Sequence, residues 1–167
     1  IWFMSLLNSA DPYFIAGVQV LAAPLIWKLR LEAIPLGYII IGEGGSAGVI
    51  GKAHPIPFNK PELAVAHALA AEYMGMRFVY LEGGSGVSHP APAKMINMVK
   101  KAVSVPLIVG GGIRIGKQAE QVSGAGADAV VTSTALEESQ RALVKDKVKE
   151  IMEGIKRGSD LKTRLNR

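Results

Sequence analysis

Three short segments of the chain carry residue types suited to anion chemistry. The first is Tyr80-Leu81-Glu82-Gly83-Gly84-Ser85-Gly86, a carboxylate followed by a loop without bulky side chains. Glu82 can pair with a substrate hydroxyl, and the backbone N–H groups of the loop after it can meet an anion. The second is Val109-Gly110-Gly111-Gly112-Ile113-Arg114. Successive glycines after an apolar run let a phosphate approach the backbone, the following helix offers its N-terminal dipole, and Arg114 adds charge. The third is Val131-Thr132-Ser133-Thr134, whose hydroxyls and following helix would close the site from the other side. Each piece has a plainer reading: Glu82 as a solvated turn residue, Arg114 as a surface ion-pair partner, Thr134 as a helix N-cap.

These segments need elements to position them. Five apolar runs, at residues 1–4, 36–41, 77–81, 106–109 and 128–132, are each followed by Ser, Asn or Gly. They read as strands buried on both faces, hence as a parallel sheet. Helical patterns lie between them. Phe14, Val18, Leu21 and Leu25 recur at helical spacing after Asp11-Pro12. Asn59 and Glu62 predict a capping box for an Ala-rich helix to Tyr73, with Gly75 as its stop. Residues 92–103 and 118–122 predict two more, and Thr134 with Glu137 predicts a second capping box opening one long helix to Arg157. The last ten residues, 158–167, read as a polar tail that frays.

Alternation of strand and helix leaves an open doubly wound sheet or a (β/α) barrel. Glycine favours the barrel. Gly-rich segments follow three strands (42–48, 83–86, 110–112), whereas a dinucleotide fold concentrates the signal after one. The expected fold is therefore α/β, one partial (β/α) barrel over residues 1–157 plus the tail. Gly-rich loops after the last two strands match where such barrels hold phosphate.

Composition narrows the function further. The 167 residues are 49% hydrophobic and 20% charged, which excludes a disordered chain. Cys is absent, removing disulfides, thiolate nucleophiles and Cys-based zinc sites. Lys+Arg minus Asp+Glu is 19 − 14 = +5, which suits anionic partners. The basic residues of the C-terminal region alternate with acids, against nucleic acid. The longest apolar stretch, 14–27, is broken by Gln19 and Pro24 and falls short of the ~20 residues a spanning helix needs. His54, His67 and His89 are scattered, so no metal site is expected from them. Ile1-Trp2-Phe3-Met4 reads as the inside of a buried strand, so the chain is expected to start in mid-fold.

Much of the chain is collinear with a known family. Phe3-Met4-Ser5-Leu6-Leu7-Asn8-Ser9, Asp11-Pro12-Tyr13-Phe14, Pro55-Ile56-Pro57, Asn59-Lys60-Pro61-Glu62 and residues 35–41, 70–86, 106–114 and 126–128 carry the likeness. The sequence resembles the geranylgeranylglyceryl phosphate synthases, prenyltransferases of archaeal ether-lipid (phospholipid) biosynthesis. The resemblance implies a modified (β/α)8 TIM barrel that joins the C3 hydroxyl of sn-glycerol 1-phosphate to C1 of geranylgeranyl diphosphate, with Mg²⁺ assisting loss of diphosphate. It implies Glu82 as the catalytic residue. It assigns glycerol phosphate binding to Tyr80, Leu81, Glu82, Gly83, Gly84, Ser85, Gly86, Gly111, Gly112, Ser133 and Thr134. It also implies a cytoplasmic homo-oligomer without a transmembrane segment, in transient contact with the membrane surface, and without a nucleic-acid partner.

Four positions depart from the family pattern. Gly83 replaces Ala, Ser133 replaces Gly in the phosphate-gripping loop, and Gly42-Glu43 stands where Glu-Pro is usual. The resemblance implies that the five strands correspond to the last five of eight, with about 90 further residues of a typical barrel expected before them. The family's magnesium ligands fall in that part, and none is assigned to this chain. Two alternatives stand beside the leading one: a bacterial-type relative using a heptaprenyl chain, and a catalytically silent half-barrel that binds glycerol phosphate.

Overall fold

The computed structural model describes the backbone of residues 1–165 and the side chains of residues 1–161. Its sheet has five parallel strands in chain order: β1 (Trp2–Leu6), β2 (Ile34–Ile40), β3 (Phe78–Glu82), β4 (Leu107–Gly110) and β5 (Ala129–Val131). Each strand pairs with the next and the order never reverses. A doubly wound sheet must reverse at its switch point; an arc of a barrel does not.

The helices are α1 (Val18–Lys28), α2 (Gly45–Ile50), α3 (Pro61–Tyr73), α4 (Ala93–Ala102), α5 (Gly116–Gly124), α6 (Thr134–Glu137) and α7 (Val144–Leu165). A π-helical turn, Tyr13–Gly17, leads into α1. Asp11 opens it: its carboxylate accepts the Tyr13 N–H at 2.9 Å and pairs with Lys52 at 2.8 Å.

Strand alternation sorts the core into two layers. Ile39, Val79, Leu81, Leu107 and Val109 pack outward against Ala64, Ala68, Met95, Val99 and Ala119 of the helices. Leu36, Tyr80 and Ile108 point the other way, into the barrel side, with Tyr38, Phe78 and Val131 against them. The register sets Tyr38 beside Tyr80, Ile40 beside Glu82, and Glu82 beside Gly110.

Local details differ from expectation in four places. α3 starts at Pro61 with Lys60 as N-cap and no side-chain cap bond, so the Asn59–Glu62 box does not form; Pro at the first position needs no such partner. The N-cap of α6 is Ser133 and not Thr134, again without a side-chain bond. The single helix expected from Thr134 stops at Glu137, where the Ser139 hydroxyl bonds the Ala135 carbonyl, and restarts after a 3₁₀ turn (Arg141–Leu143). Finally, α7 runs on to Leu165, so residues 158–165 are helical where fraying was expected; residues 166–167 lie outside the described residues. The cause is a close seam between α5 and α7. A Cβ at Gly154 would fall 2.0 Å from the Gly116 carbonyl oxygen, and Arg157 meets Glu120 at 2.8 Å.

Candidate functional site

The C-terminal ends of β3, β4 and β5 enclose a cavity of about 150 Å³. That is well below the ~300 Å³ at which drug-sized pockets begin, and suits a small polar molecule. Tyr80, Glu82, Gly84, Ser85 and Gly86 line it from β3 and its loop. Gly111, Gly112 and Arg114 come from the β4 loop, and Thr132, Ser133 and Thr134 from the β5 loop. Nine of the eleven residues named from sequence therefore meet around one space. Leu81 and Gly83 stand outside it: strand alternation turns Leu81 into the helix layer, and Gly83 borders a smaller cleft with Glu43 and Phe58.

Glu82 is the centre of the arrangement. It is 7% exposed, and its Oε1 accepts the Gly84 N–H at 2.6 Å, which folds the loop back over the strand end. Tyr38 and Tyr80 flank it, their rings edge to face with centroids 5.0 Å apart. Burial, then the negative charge of Glu82 and a hydrogen bond to it, hold both phenols well above the ordinary phenol range. A tyrosine that stays protonated in the folded state and titrates near 10 when unfolded stabilises the fold fully below 10 and loses that contribution as pH rises further. Chemical-denaturation midpoints should therefore fall as pH climbs above about 10, and Tyr38→Phe should flatten that limb.

The loops meet through backbone. A Cβ at Gly110 would lie 2.1 Å from the Tyr80 hydroxyl, so the glycine makes room for that ring beside Glu82. Gly83 is the converse: a Cβ there has nothing nearer than 3.5 Å, so Ala in its place is accommodated. Ser133 has φ −128°, outside the left-handed region that demands glycine, so the backbone does not exclude Ser from the place of Gly. The Thr132 hydroxyl is already committed to the Ile113 carbonyl at 2.7 Å, tying the β5 loop to the β4 loop.

Sequence reasoning missed Tyr38, whose only signal is its register beside Tyr80. It also missed a second space. An apolar groove of about 280 Å³ lies between Met4, Leu6, Phe14, Val18, Tyr38 and Ile50. Glu82 and Tyr80 line the polar cavity and Tyr38 the groove, and the two phenol rings meet edge to face between the two spaces.

Among the described residues, no group of three or more His, Asp or Glu stands together to hold a metal ion. Glu82 is engaged by the Gly84 N–H, and Asp11 by Lys52 and the Tyr13 N–H. This donor set does not fit a magnesium site, which needs several free oxygens in near-octahedral array.

A parallel arc with its converging loops and a small polar cavity at the strand C-termini defines a (β/α)-barrel protein with the cavity where barrel enzymes keep their active sites. Residues 1–155 match the PcrB family, and the chain belongs to that family. It is 51% identical over 155 residues to the geranylgeranylglyceryl phosphate synthase of Methanothermobacter marburgensis, covering 93% of this chain and 62% of the relative. The synthase of Thermofilum pendens is 54% identical over 140 residues, 84% of this chain and 54% of the relative. The solved structure of the Thermoplasma acidophilum (S)-3-O-geranylgeranylglyceryl phosphate synthase in complex with sn-glycerol-1-phosphate superposes with a TM-score of 0.90 at 41% identity, over 93% of this chain and 62% of that one. Mandelate oxidase, at 14% identity and a TM-score of 0.52, shares the fold alone. The chain thus spans a little over half to about three-fifths of the length of the curated relatives it matches.

Proposed function

We propose that this chain carries the glycerol phosphate half of a prenyltransferase site, with sn-glycerol 1-phosphate in the polar cavity and the prenyl chain of geranylgeranyl diphosphate along the apolar groove. The observation that carries the reading is that Glu82 lines the polar cavity beside Tyr80, whose ring meets edge to face the Tyr38 ring that lines the groove. Glu82 accepts the proton of the glycerol C3 hydroxyl. The freed oxygen forms a C–O bond to prenyl C1 as the bond from that carbon to diphosphate breaks. The Gly84–Gly86, Gly111–Gly112 and Ser133–Thr134 segments hold the phosphate, which fixes the hydroxyl relative to the carboxylate. Tyr38 and Tyr80 orient Glu82 and stay neutral while doing so.

Mg²⁺ belongs to the family's chemistry, but the described residues do not group into a site for it, and no step above passes through it. Among the described residues no helix is long and apolar enough to cross a membrane. The same reading makes the protein a cytoplasmic homo-oligomer that touches the membrane surface to collect its prenyl substrate. Its support is α1, whose Val20, Leu21 and Trp27 are exposed.

The test combines calorimetric titration of the 167-residue chain with sn-glycerol 1-phosphate and a radiolabel transfer assay with geranylgeranyl diphosphate and Mg²⁺. Binding is expected, with product only when the N-terminal part of a longer relative is added. A chain that does not bind sn-glycerol 1-phosphate ends the proposal, and product from the chain alone ends the claim that its site is half a site.

A further inference from the structure

Arg114 carries two readings from the sequence, added charge for an anion or a surface ion pair, and its surroundings are unusual for the second. Its Nη1 donates to Glu138 Oε2 at 2.9 Å, and Nη2 reaches Glu138 Oε1 at 3.5 Å and the Gly86 carbonyl oxygen at 3.4 Å. Nε is different: it is buried and has no hydrogen-bond partner among the described residues. Buried donors are almost always satisfied, so an orphan N–H on a residue that lines the cavity calls for an acceptor, which Nε would meet once the guanidinium turns toward a ligand. The charge balance points the same way. Among the described residues lining the cavity, Arg114 is the one cation and Glu82 the one anion. A phosphate dianion entering beside Glu82 would meet like charge, and only Arg114 stands in the lining to offset it.

The elements around Arg114 hold it ready. Its backbone N–H donates to Gln118 Oε1 at 2.8 Å, which fixes the chain at the start of α5. Glu138 follows α6 directly and holds the guanidinium from the solvent side; its side chain is 60% exposed against 36% for Arg114. Water can therefore take over part of the Glu138 charge when the guanidinium turns to a phosphate oxygen.

We infer that Arg114 is a phosphate ligand of this site, donating through Nε, and that Glu138 is the counter-ion that positions it. The inference rests on the anion-binding reading proposed above. It differs from a purely structural strap, in which Arg114 merely ties the β3 loop at Gly86 to the end of α6. A strap is broken equally by removing either end. A ligand with a counter-ion is not, because removing Glu138 leaves the cation more available.

Calorimetric titration of the wild-type chain, Arg114→Gln, Arg114→Lys and Glu138→Gln with inorganic phosphate and with sn-glycerol 1-phosphate separates these. Arg114→Gln is expected to weaken both anions about ten- to a hundredfold, the scale of one charge-assisted hydrogen bond. Arg114→Lys keeps the charge without the fork and is expected to lose less; it also decides the matter if Arg114→Gln does not fold. Glu138→Gln is expected to bind at least as tightly as wild type. Equal weakening by Arg114→Gln and Glu138→Gln, or binding within twofold of wild type in both Arg114 variants, overturns the inference. If the wild-type chain binds inorganic phosphate but not sn-glycerol 1-phosphate, the substrate reading fails and Arg114 is judged on inorganic phosphate alone. Binding of neither anion overturns both.

Discussion

Glu82→Gln is expected to lower the prenyl transfer rate by about 10²- to 10⁴-fold, the usual contribution of a positioned general base. The amide keeps the shape of the side chain, and its carbonyl oxygen can still accept the Gly84 N–H that the carboxylate accepts at 2.6 Å, so the loop should keep its fold. On the proposed reading, what it loses is the capacity to take the glycerol proton. Affinity for sn-glycerol 1-phosphate should therefore change by less than tenfold, with the loss falling on turnover. The measurement is radiolabel transfer for the chain complemented by the N-terminal part of a longer relative, alongside calorimetry on the chain itself. Parallel loss of affinity and turnover would mean that Glu82 serves binding and not proton transfer.

Gly112→Ala is the second large effect, and it acts through the backbone. Gly112 has φ +70°, and a Cβ on it would fall 2.3 Å from the carbonyl carbon and oxygen of His89. The left-handed conformation costs a non-glycine residue about 1–2 kcal/mol, and the collision with backbone adds about 1–3 kcal/mol. The neighbour cannot give way as a flexible side chain would. We expect the unfolding free energy to fall by about 2–5 kcal/mol on those two counts, with sn-glycerol 1-phosphate binding lost as the β4 loop moves. Denaturant titration and calorimetry on the same preparation check both. A variant with wild-type stability and affinity would show that the β4 loop has another conformation available to it.

Sequence and structure agree most closely on the strands. Residues 36–41, 77–81 and 106–109 read as strands because a strand of a parallel sheet buries both faces and so forms a continuous apolar run. Observed β2, β3 and β4 lie within a residue or two of those runs. The Gly-rich stretch at 42–48 is the opposite case. It leads into α2, Gly45–Ile50, whose first turn glycine's poor helix propensity hides. Packing overrides that propensity: Gly48 is buried, and its Cβ would meet Ile40 at 3.3 Å. The break after Glu137 was equally hidden, because residues on both sides of it favour helix and only the turn through Ser139 interrupts them.

For the candidate site, the segments suited to anion chemistry were legible in the chain itself: a carboxylate at Glu82 and glycine-rich turns after β3 and β4, all local in sequence. Local composition decides whether backbone can approach an anion, so these were legible without coordinates. Which side chains share one space depends on how the strands pair and alternate. Strand alternation sends Tyr80 and Glu82 into the barrel and Leu81 out of it, and register brings Tyr38 from another strand to the same carboxylate. The pairing of Arg114 with Glu138 spans 24 residues, and the groove joins β1, α1, β2 and α2. Contacts of this kind depend on pairing geometry across elements, which no single segment encodes, and so they become visible only once the sheet has closed its register.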